Sequence, residues 1–477
     1  MKIFNKSRLG AATAATALFA LSGCSTMAPK YEQPPAPVNA AWPKGHAYQV
    51  PDAKATKKAV AEVPWREFFV DPQLQKIIEL SLQNNRDLRI AALNIERAQA
   101  LYQIRRADLM PHLDATAAAT VQRIPVDLSS TGKAMVTDQY SVGLGVSSYE
   151  VDLFGRVRSL KDQALEQYLA TEQAQRSVQI SLVSQVAAAW LSLAADKERL
   201  SLARMTLVSQ MEAYKLINSR YEAGISSALD LNQARTSVDA ARVDIARYTT
   251  LVAQDENALN LLVGSNVPAD LLPQALGEAL TSLKDIVPGL PSDVLLNRPD
   301  ILQTEGDLKA ANANIGAARA AFFPRITLVS SVGLGSDELS GLFKGGSFAW
   351  SFAPRISVPI FDAGTNKANL AVAEVDRNIA VAKYEKAIQS AFREVADSLA
   401  QRGTIDEQLS AQQSFTDATA ESLKLSQARY DKGVDGYLTV LDSQRSLYAA
   451  KQNLIGVRLV DQANLVSLYK VLGGGWK

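Results

Sequence analysis

From Arg156 to Ala223 the chain contains neither proline nor glycine, and Ala, Leu, Gln, Glu, Ser and Arg predominate. Those residues favour or tolerate helix. Within the tract Val183, Val186, Ala187, Trp190, Leu193 and Ala194 recur at spacings of three and four, the stripe of a buried helical face. An unbroken helix of this extent is about 100 Å long at the usual rise per residue. Such a rod has no place in a compact globule, and it reads as coiled-coil-like packing between very long helices. Gly224 falls where the rod should turn back, and a second helical tract runs from Leu229 to Val263. The unit is a long helical hairpin with a glycine at its tip.

That unit occurs twice. Arg220-Tyr221-x-x-Gly224-x-x-x-x-Leu229 returns as Arg429-Tyr430-x-x-Gly433-x-x-x-x-Leu438, an offset of 209 that also pairs Trp190 with Leu399 and Gly264 with Gly473. Upstream, Arg106-Ala107-Asp108-Leu109-Met110-Pro111 matches Arg319-Ala320-Ala321-Phe322-Phe323-Pro324. Asp87 and Asp300 each stand 24 residues before those prolines. In the second copy Ile388, Phe392, Val395 and Leu399 repeat the apolar stripe, and a return helix is expected over Leu438 to Leu472. We place a first repeat at 64–285 (strands about 112–153, hairpin about 156–264) and a second at 286–477 (strands about 325–360, hairpin about 365–472).

Between Pro111 and Gly155 the period changes to two. Tyr140, Val142, Leu144 and Val146 alternate with Ser141, Gly143, Gly145 and Ser147, while Leu113, Ala115, Ala117, Ala119 and Val121 alternate with Asp114, Thr116 and Thr120. The second copy offers Ile326, Leu328, Ser330, Val332 and Leu334, then Phe348, Trp350 and Phe352. Each copy therefore supplies two strands of about ten residues, enough to cross a bilayer at a tilt. Soluble hairpins are the alternative on periodicity alone. Four strands cannot close a barrel, and open edges cannot be left in lipid. Membrane strands of this kind require several chains to share one barrel, and three chains give twelve strands.

At the N-terminus Lys2, Lys6 and Arg8 precede an apolar run from Ala11 to Leu21 that ends in Leu21-Ser22-Gly23-Cys24. Too short to span a bilayer, it suits a secretory signal peptide over 1–23. The box before Cys24, the only cysteine, looks like a bacterial lipoprotein cleavage site, and Ser25 follows in place of an Asp. Several acyl chains at one residue anchor stably where one does not. Residues 24–63, with five prolines between Pro29 and Pro43, read as an extended lipidated tether, and the folded body is expected to begin at Pro64-Trp65.

Composition excludes other classes. Fifty Lys plus Arg against 49 Asp plus Glu give a net charge of +1, without the basic footprint of a nucleic-acid binder. One Cys and two His are too few for a structural zinc site or a disulfide framework. The chain has no G-x-S-x-G, Walker A or H-E-x-x-H motif, and Gly143-x-Gly145 sits in a strand pattern. His46 lies in the tether and His112 abuts the first strand, both read as solvated or interfacial. No apolar run, the short N-terminal one included, is long enough for a transmembrane helix. We expect no enzyme, no metal site and no cofactor.

The lipobox, the two Asp87 and Asp300 entries, Ala311-Asn312-Ala313-Asn314-Ile315-Gly316, Tyr149-Glu150-Val151-Asp152-Leu153-Phe154-Gly155-Arg156 and the closing Leu472-Gly473-Gly474-Gly475-Trp476 occur together. In this the chain resembles the TolC-like outer-membrane channels, in particular the lipoprotein OprM branch. The resemblance implies a mainly α protein with a membrane β-barrel: a homotrimer whose twelve-stranded outer-membrane barrel continues into a twelve-helix periplasmic α-barrel. It implies a lipid anchor on Cys24, as N-palmitoyl and S-diacylglycerol, with no other cofactor. It also implies a duct for drugs and other small toxic compounds, coupled to a periplasmic adaptor (membrane fusion) protein and to an inner-membrane proton-driven transporter of the resistance–nodulation–division type. A duct for protein secretion or metal export, and a periplasmic coiled-coil structural lipoprotein without a pore, are the alternatives.

The second hairpin tip carries charges that the first lacks. Asp435, Asp442 and Arg445 correspond to Ser226, Gln233 and Thr236 at the 209 offset. The family likeness assigns a periplasmic gate to Tyr430, Leu438, Asp435, Asp442 and Arg445, with Arg445 expected to hold Asp442 and Tyr430 to add a hydrogen bond. An exposed ion pair on a helix face is the plain alternative. Adaptor contact is assigned to the tips, at Gly224, Ser226, Ser227, Gly433 and Val434, where small residues permit close approach by another chain.

Overall fold

The computed structural model describes residues 26–48, 60–277, 280–281 and 291–476. The signal peptide and Cys24 lie outside the described residues. Each copy repeats one order of elements. The first has α2 (Arg86–Ala107), β1 (Asp114–Ile124), β2 (Met135–Glu150), α3 (Arg156–Glu222) and α4 (Ala228–Val263), after α1 (Pro72–Asn84). The second has α5 (Pro299–Ala320), β3 (Arg325–Ser336), β4 (Phe348–Ser357), α6 (Thr365–Asp431) and α7 (Tyr437–Val471). The first helical hairpin runs over 156–263 and the second over 365–471. The 22-residue helices α2 and α5, which lead into the strands, are absent from the sequence expectation. In α2 no residue is buried within the chain, so its apolar positions mark no single stripe. Helix α3 does hold a window apolar enough to cross a membrane by length and composition. That window is 61% buried, so core packing accounts for it.

The chain divides into two units, each drawing on both copies. The first holds the strands, which form one antiparallel sheet in the order β1-β2-β3-β4. Its register builds an apolar face across all four strands. Ala115, Leu144, Val332 and Trp350 form one row, and Ala117, Val142, Leu334 and Phe348 the next. The opposite face carries Thr116, Gly143, Gly333 and Ala349, then Asp114, Gly145, Ser331 and Ser351, with the Ser331 and Ser351 hydroxyls 2.8 Å apart. Gly143 and Gly333 face each other so closely that a Cβ on Gly143 would stand 2.7 Å from the Val332 carbonyl oxygen. Trp350 is 71% exposed, on a face too apolar for water. Strands β1 and β4 each pair on one side only, leaving both edges of the sheet open.

The N-terminal segment is docked along the first unit. The Asn312 amide donates to the Pro29 carbonyl at 2.7 Å, and Arg319 donates to the Met27 carbonyl at 3.4 Å. The Tyr31 hydroxyl donates to Glu305 at 3.1 Å, beneath the Lys309 ammonium. Gly316 makes room, since a Cβ there would stand 2.6 Å from the Ala28 nitrogen. In the second unit Trp42 stacks on Phe392 with centroids 5.0 Å apart, and Val60 and Val63 are buried in the core. Folded contacts thus begin well before Pro64, a correction to the reading of 24–63 as a tether alone. Proline keeps this stretch extended, but its aromatic and carbonyl groups still find partners.

The core of the second unit gathers Val183, Val186, Trp190 and Leu193 of α3 with Val395 and Leu399 of α6, Tyr469 of α7 and Phe68, Phe69 and Leu74. Tyr469 stacks on Phe68 at 3.9 Å and donates its hydroxyl to the Val63 carbonyl at 2.6 Å, so its polar tip is satisfied in the apolar core. Each copy also secures the end of its own return helix. The Asn85 amide donates to the Leu262 carbonyl at 2.8 Å, and the buried Arg298 guanidinium donates to the Val471 carbonyl at 2.9 Å. Leu262 and Val471 are equivalent at the 209 offset, and both carbonyls lie in a last helical turn that lacks intrahelical donors. Arg298 is neutralised by Asp300 at 2.7 Å and Glu394 at 2.9 Å.

A carboxylate pair interrupts the packing of α3 against α4. Asp196 is buried and accepts from Arg199 at 2.8 Å. Asp255 of α4 is half-buried beside it, with one carboxylate oxygen lacking a hydrogen-bond partner. Burial, and then the neighbouring Asp196 charge, push the Asp255 carboxyl up to about 6. The folded state therefore holds this proton more tightly than the unfolded chain does, and the contribution of Asp255 to stability falls as pH rises through the window from about 4 to 6. We expect Asp255→Asn to raise the melting temperature at neutral pH and to match the wild type below about pH 4. Thermal unfolding of the purified protein across that range checks both the sign and the window.

Candidate functional site

The two hairpin tips share one backbone turn. Gly224 and Gly433 have φ of 74° and 72°, the left-handed conformation that glycine adopts without a steric penalty. The Gly224 amide donates to the Tyr221 carbonyl and the Gly433 amide to the Tyr430 carbonyl, both at 2.9 Å. The next donors, Ile225 and Val434, reach the carbonyls of Arg220 and Arg429 at 2.8 and 2.9 Å. The Arg-Tyr-x-x-Gly scaffold is thus a helix-terminating motif. A Cβ on either glycine would meet nothing within 4 Å in the chain.

Beyond the turn the copies part. Ser227 caps α4 in a reciprocal box: the Asp230 amide donates to its hydroxyl at 3.1 Å, and the Asp230 carboxylate accepts from the Ser227 amide at 3.1 Å. The hydroxyls of Ser227 and Ser226 also donate to Asp230 and hold its carboxyl below the usual carboxylate range. At the second tip α7 starts from Gly436 with no side-chain cap. Asp435 instead takes the Arg429 guanidinium on both oxygens, at 2.6 and 3.0 Å, which lowers its pKa.

A file of polar contacts joins the two hairpins. Nearest the tips the Arg220 guanidinium donates to the Tyr430 hydroxyl and also lies 5.2 Å from the centre of that ring. Arg445 donates to the hydroxyls of Thr236 at 3.3 Å and Ser237 at 3.5 Å. Further along, the Tyr448 hydroxyl donates to Asp244 at 2.8 Å, the Tyr248 hydroxyl to Gln452 at 3.1 Å, and Arg458 to Glu198 at 2.9 Å. Beneath the outermost pair, Ile217 and Ala234 pack with buried Tyr437, Val440 and Leu441.

This corrects one expectation. Arg445 does not bind Asp442 within the chain. Its long side chain crosses to α4, because an exposed pair three residues apart offers little energy and two hydroxyls lie within reach. Asp442 is exposed, as is Leu438 one turn before it. Both open onto a recess of about 350 Å³ shared with Thr419 and Ser422 of α6. Tyr430 has the expected kind of hydrogen bond, from Arg220. Arg220, Arg429 and Thr236 figure in the sequence only as repeat matches, and Ser237 and Asp230 not at all, although Thr236 and Arg445 are equivalent at the 209 offset. That signal was present, since equivalent residues near an axis relating two copies meet each other. Cys24 lies outside the described residues.

Comparison with known proteins agrees with this architecture. The chain matches the family described as outer membrane efflux protein over residues 77–265 and again over 290–474. It is 53% identical over 462 residues to the solvent efflux pump outer membrane protein SrpC of Pseudomonas putida, covering 96% of this chain and 97% of that one. It is 46% identical over 454 residues to the outer membrane protein OprJ of Pseudomonas aeruginosa, covering 95% and 94%. The open state of the Neisseria gonorrhoeae MtrE outer membrane channel superposes with a TM-score of 0.85 at 40% identity, covering 95% of this chain and 99% of the channel. With matches spanning both copies, strands included, the chain belongs to the outer membrane efflux protein family.

Proposed function

We propose that three copies of this chain, anchored by lipid at Cys24, form the outer-membrane exit duct of a tripartite efflux pump. The observation that carries this reading is a four-stranded sheet with one apolar face and two unpaired edges. In lipid such edges must find partners, and three copies pairing β4 to β1 make a closed twelve-stranded barrel. The duct carries drugs and other small toxic compounds passively, delivered by a periplasmic adaptor and a proton-driven resistance–nodulation–division transporter. Relatives named for solvent, toluene and antibiotic efflux support that cargo class.

In a trimer each residue near the three-fold axis becomes a ring. Leu438 supplies three apolar side chains, which resist wetting, and Asp442 supplies three carboxylates, which favour cations. The contacts Arg220–Tyr430 and Arg445–Thr236 latch the second hairpin to the first. Each contributes about 1 kcal/mol in exposed surroundings, so three copies bias a closed–open equilibrium by several kcal/mol. The combined variant Tyr430→Phe, Arg445→Ala is expected to raise single-channel conductance in planar bilayers and to admit vancomycin into cells. Asp442→Ala, which breaks no hydrogen bond or ion pair among the described residues, should instead weaken cation preference. Wild-type conductance in the first variant, at normal trimer level, would place the gate elsewhere.

The tips are the adaptor's docking points, where an incoming hairpin approaches the backbone of Gly224 and Gly433. Asparagine tolerates the left-handed conformation, so Gly224→Asn and Gly433→Asn fill space with little backbone strain. Drug resistance should fall in each variant while trimers persist in outer-membrane fractions. Unchanged resistance in both would remove the tips from the interface.

A further inference from the structure

The junction between strands and helices carries one complete seam within the chain and, at the two open edges, the apolar residues of a second. Within the chain, the seam between β2 and β3 extends beyond the last paired residues. The Val151 amide donates to the Ile326 carbonyl at 2.9 Å, and Phe154 stacks on Phe323 with centroids 4.9 Å apart and planes 25° from parallel. Arg325 adds a charge contact to Glu150 at 2.6 Å. Phe323 stands before Pro324 as Met110 stands before Pro111. Phe154 closes the Leu153-Phe154 step between β2 and α3, and Ile360-Phe361 is the like step between β4 and α6.

Among the described residues Met110 and Phe361 have no such partner. They flank the two open edges: Met110 and Leu113 lie just before β1, Ile360 and Phe361 just after β4. Their exposures are 69% and 67%, then 94% and 90%. Four apolar side chains this bare, on the two sides of one unsatisfied ladder, match each other better than they match water. When β4 runs antiparallel to β1 of another copy, the end of β4 meets the beginning of β1.

We propose that Ile360 and Phe361 pack on Met110 and Leu113 of the next copy, so that the seam inside the chain is the template for the seam between chains. Aromatic–thioether contact replaces the Phe154–Phe323 stack. His112 stands where the second copy has Arg325, so the Arg325–Glu150 contact has no carboxylate-binding arginine as its counterpart, and the seam depends more on apolar contact. The occupant is a second copy of this chain, and the inference rests on the barrel reading above.

The test uses the full lipoprotein in outer membranes. Met110→Cys combined with Phe361→Cys should give covalent trimers with a short bifunctional thiol reagent, and neither single variant should. Native trimers in which both cysteines react with a membrane-soluble maleimide but never link would mean that these residues face lipid, and would overturn the proposal. Two further variants guard against a double variant that fails to assemble. Phe361→Asp should lower the temperature at which trimers dissociate in detergent by several degrees, and Met110→Phe should raise it. No change in either also overturns the seam. A wild-type chain that is stable as a monomer in the membrane would instead remove the barrel reading itself.

Discussion

A β-edge in hydrocarbon is a row of peptide groups with no solvent to bond to, and each costs several kcal/mol there. This chain has two such edges, on β1 and on β4. No rearrangement of four antiparallel strands removes them, because closing so short a sheet on itself would leave no interior. The apolar rows through Leu144, Val332 and Trp350 make water equally unsuitable. The fold is therefore complete only in company. In the trimer proposed above, the joint that the duplication already builds at β2–β3 would be repeated between chains.

The copies agree at the ends of their return helices and diverge at the starts of them. The closing bonds from Asn85 and Arg298 to the ends of α4 and α7 use different side chains for the same carbonyl position. The glycine turns agree to within a few degrees of φ. At the start of the return helices the likeness stops. Ser227 and Asp230 form a closed capping box, a feature worth about 1 kcal/mol. Gly436 gives α7 nothing comparable. The first hairpin holds its tip with a cap, while the second uses the Arg429–Asp435 pair and adds contacts to the first through Arg220 and Arg445.

Much of this was legible because periodicity and duplication are long-range signals. The stripe at Val183, Trp190 and Leu193 is buried as its spacing requires, and Tyr140, Val142 and Leu144 share a face with Val332 and Trp350. Two kinds of feature were not legible. Helix α2 buries none of its residues within one chain, so nothing in its pattern distinguishes a core face. Arginine direction is the other. Arg445 has Asp442 close by in sequence and Thr236 close by in space, and only the packing of α4 against α7 decides between them. Arg429 and Asp435 lie six apart across a turn, a separation that no helical rule connects.

The docking of the N-terminal segment has an evolutionary consequence. Asn312 and Arg319 grip the carbonyls of Pro29 and Met27, groups that every residue type possesses. Gly316 admits the Ala28 backbone whatever side chain that residue carries. Recognition of this kind leaves the side chains at Met27, Ala28 and Pro29 nearly free to drift, while Asn312, Gly316 and Arg319 stay constrained. The sequence at 27–29 could thus be exchanged between relatives without redesigning the body that receives it.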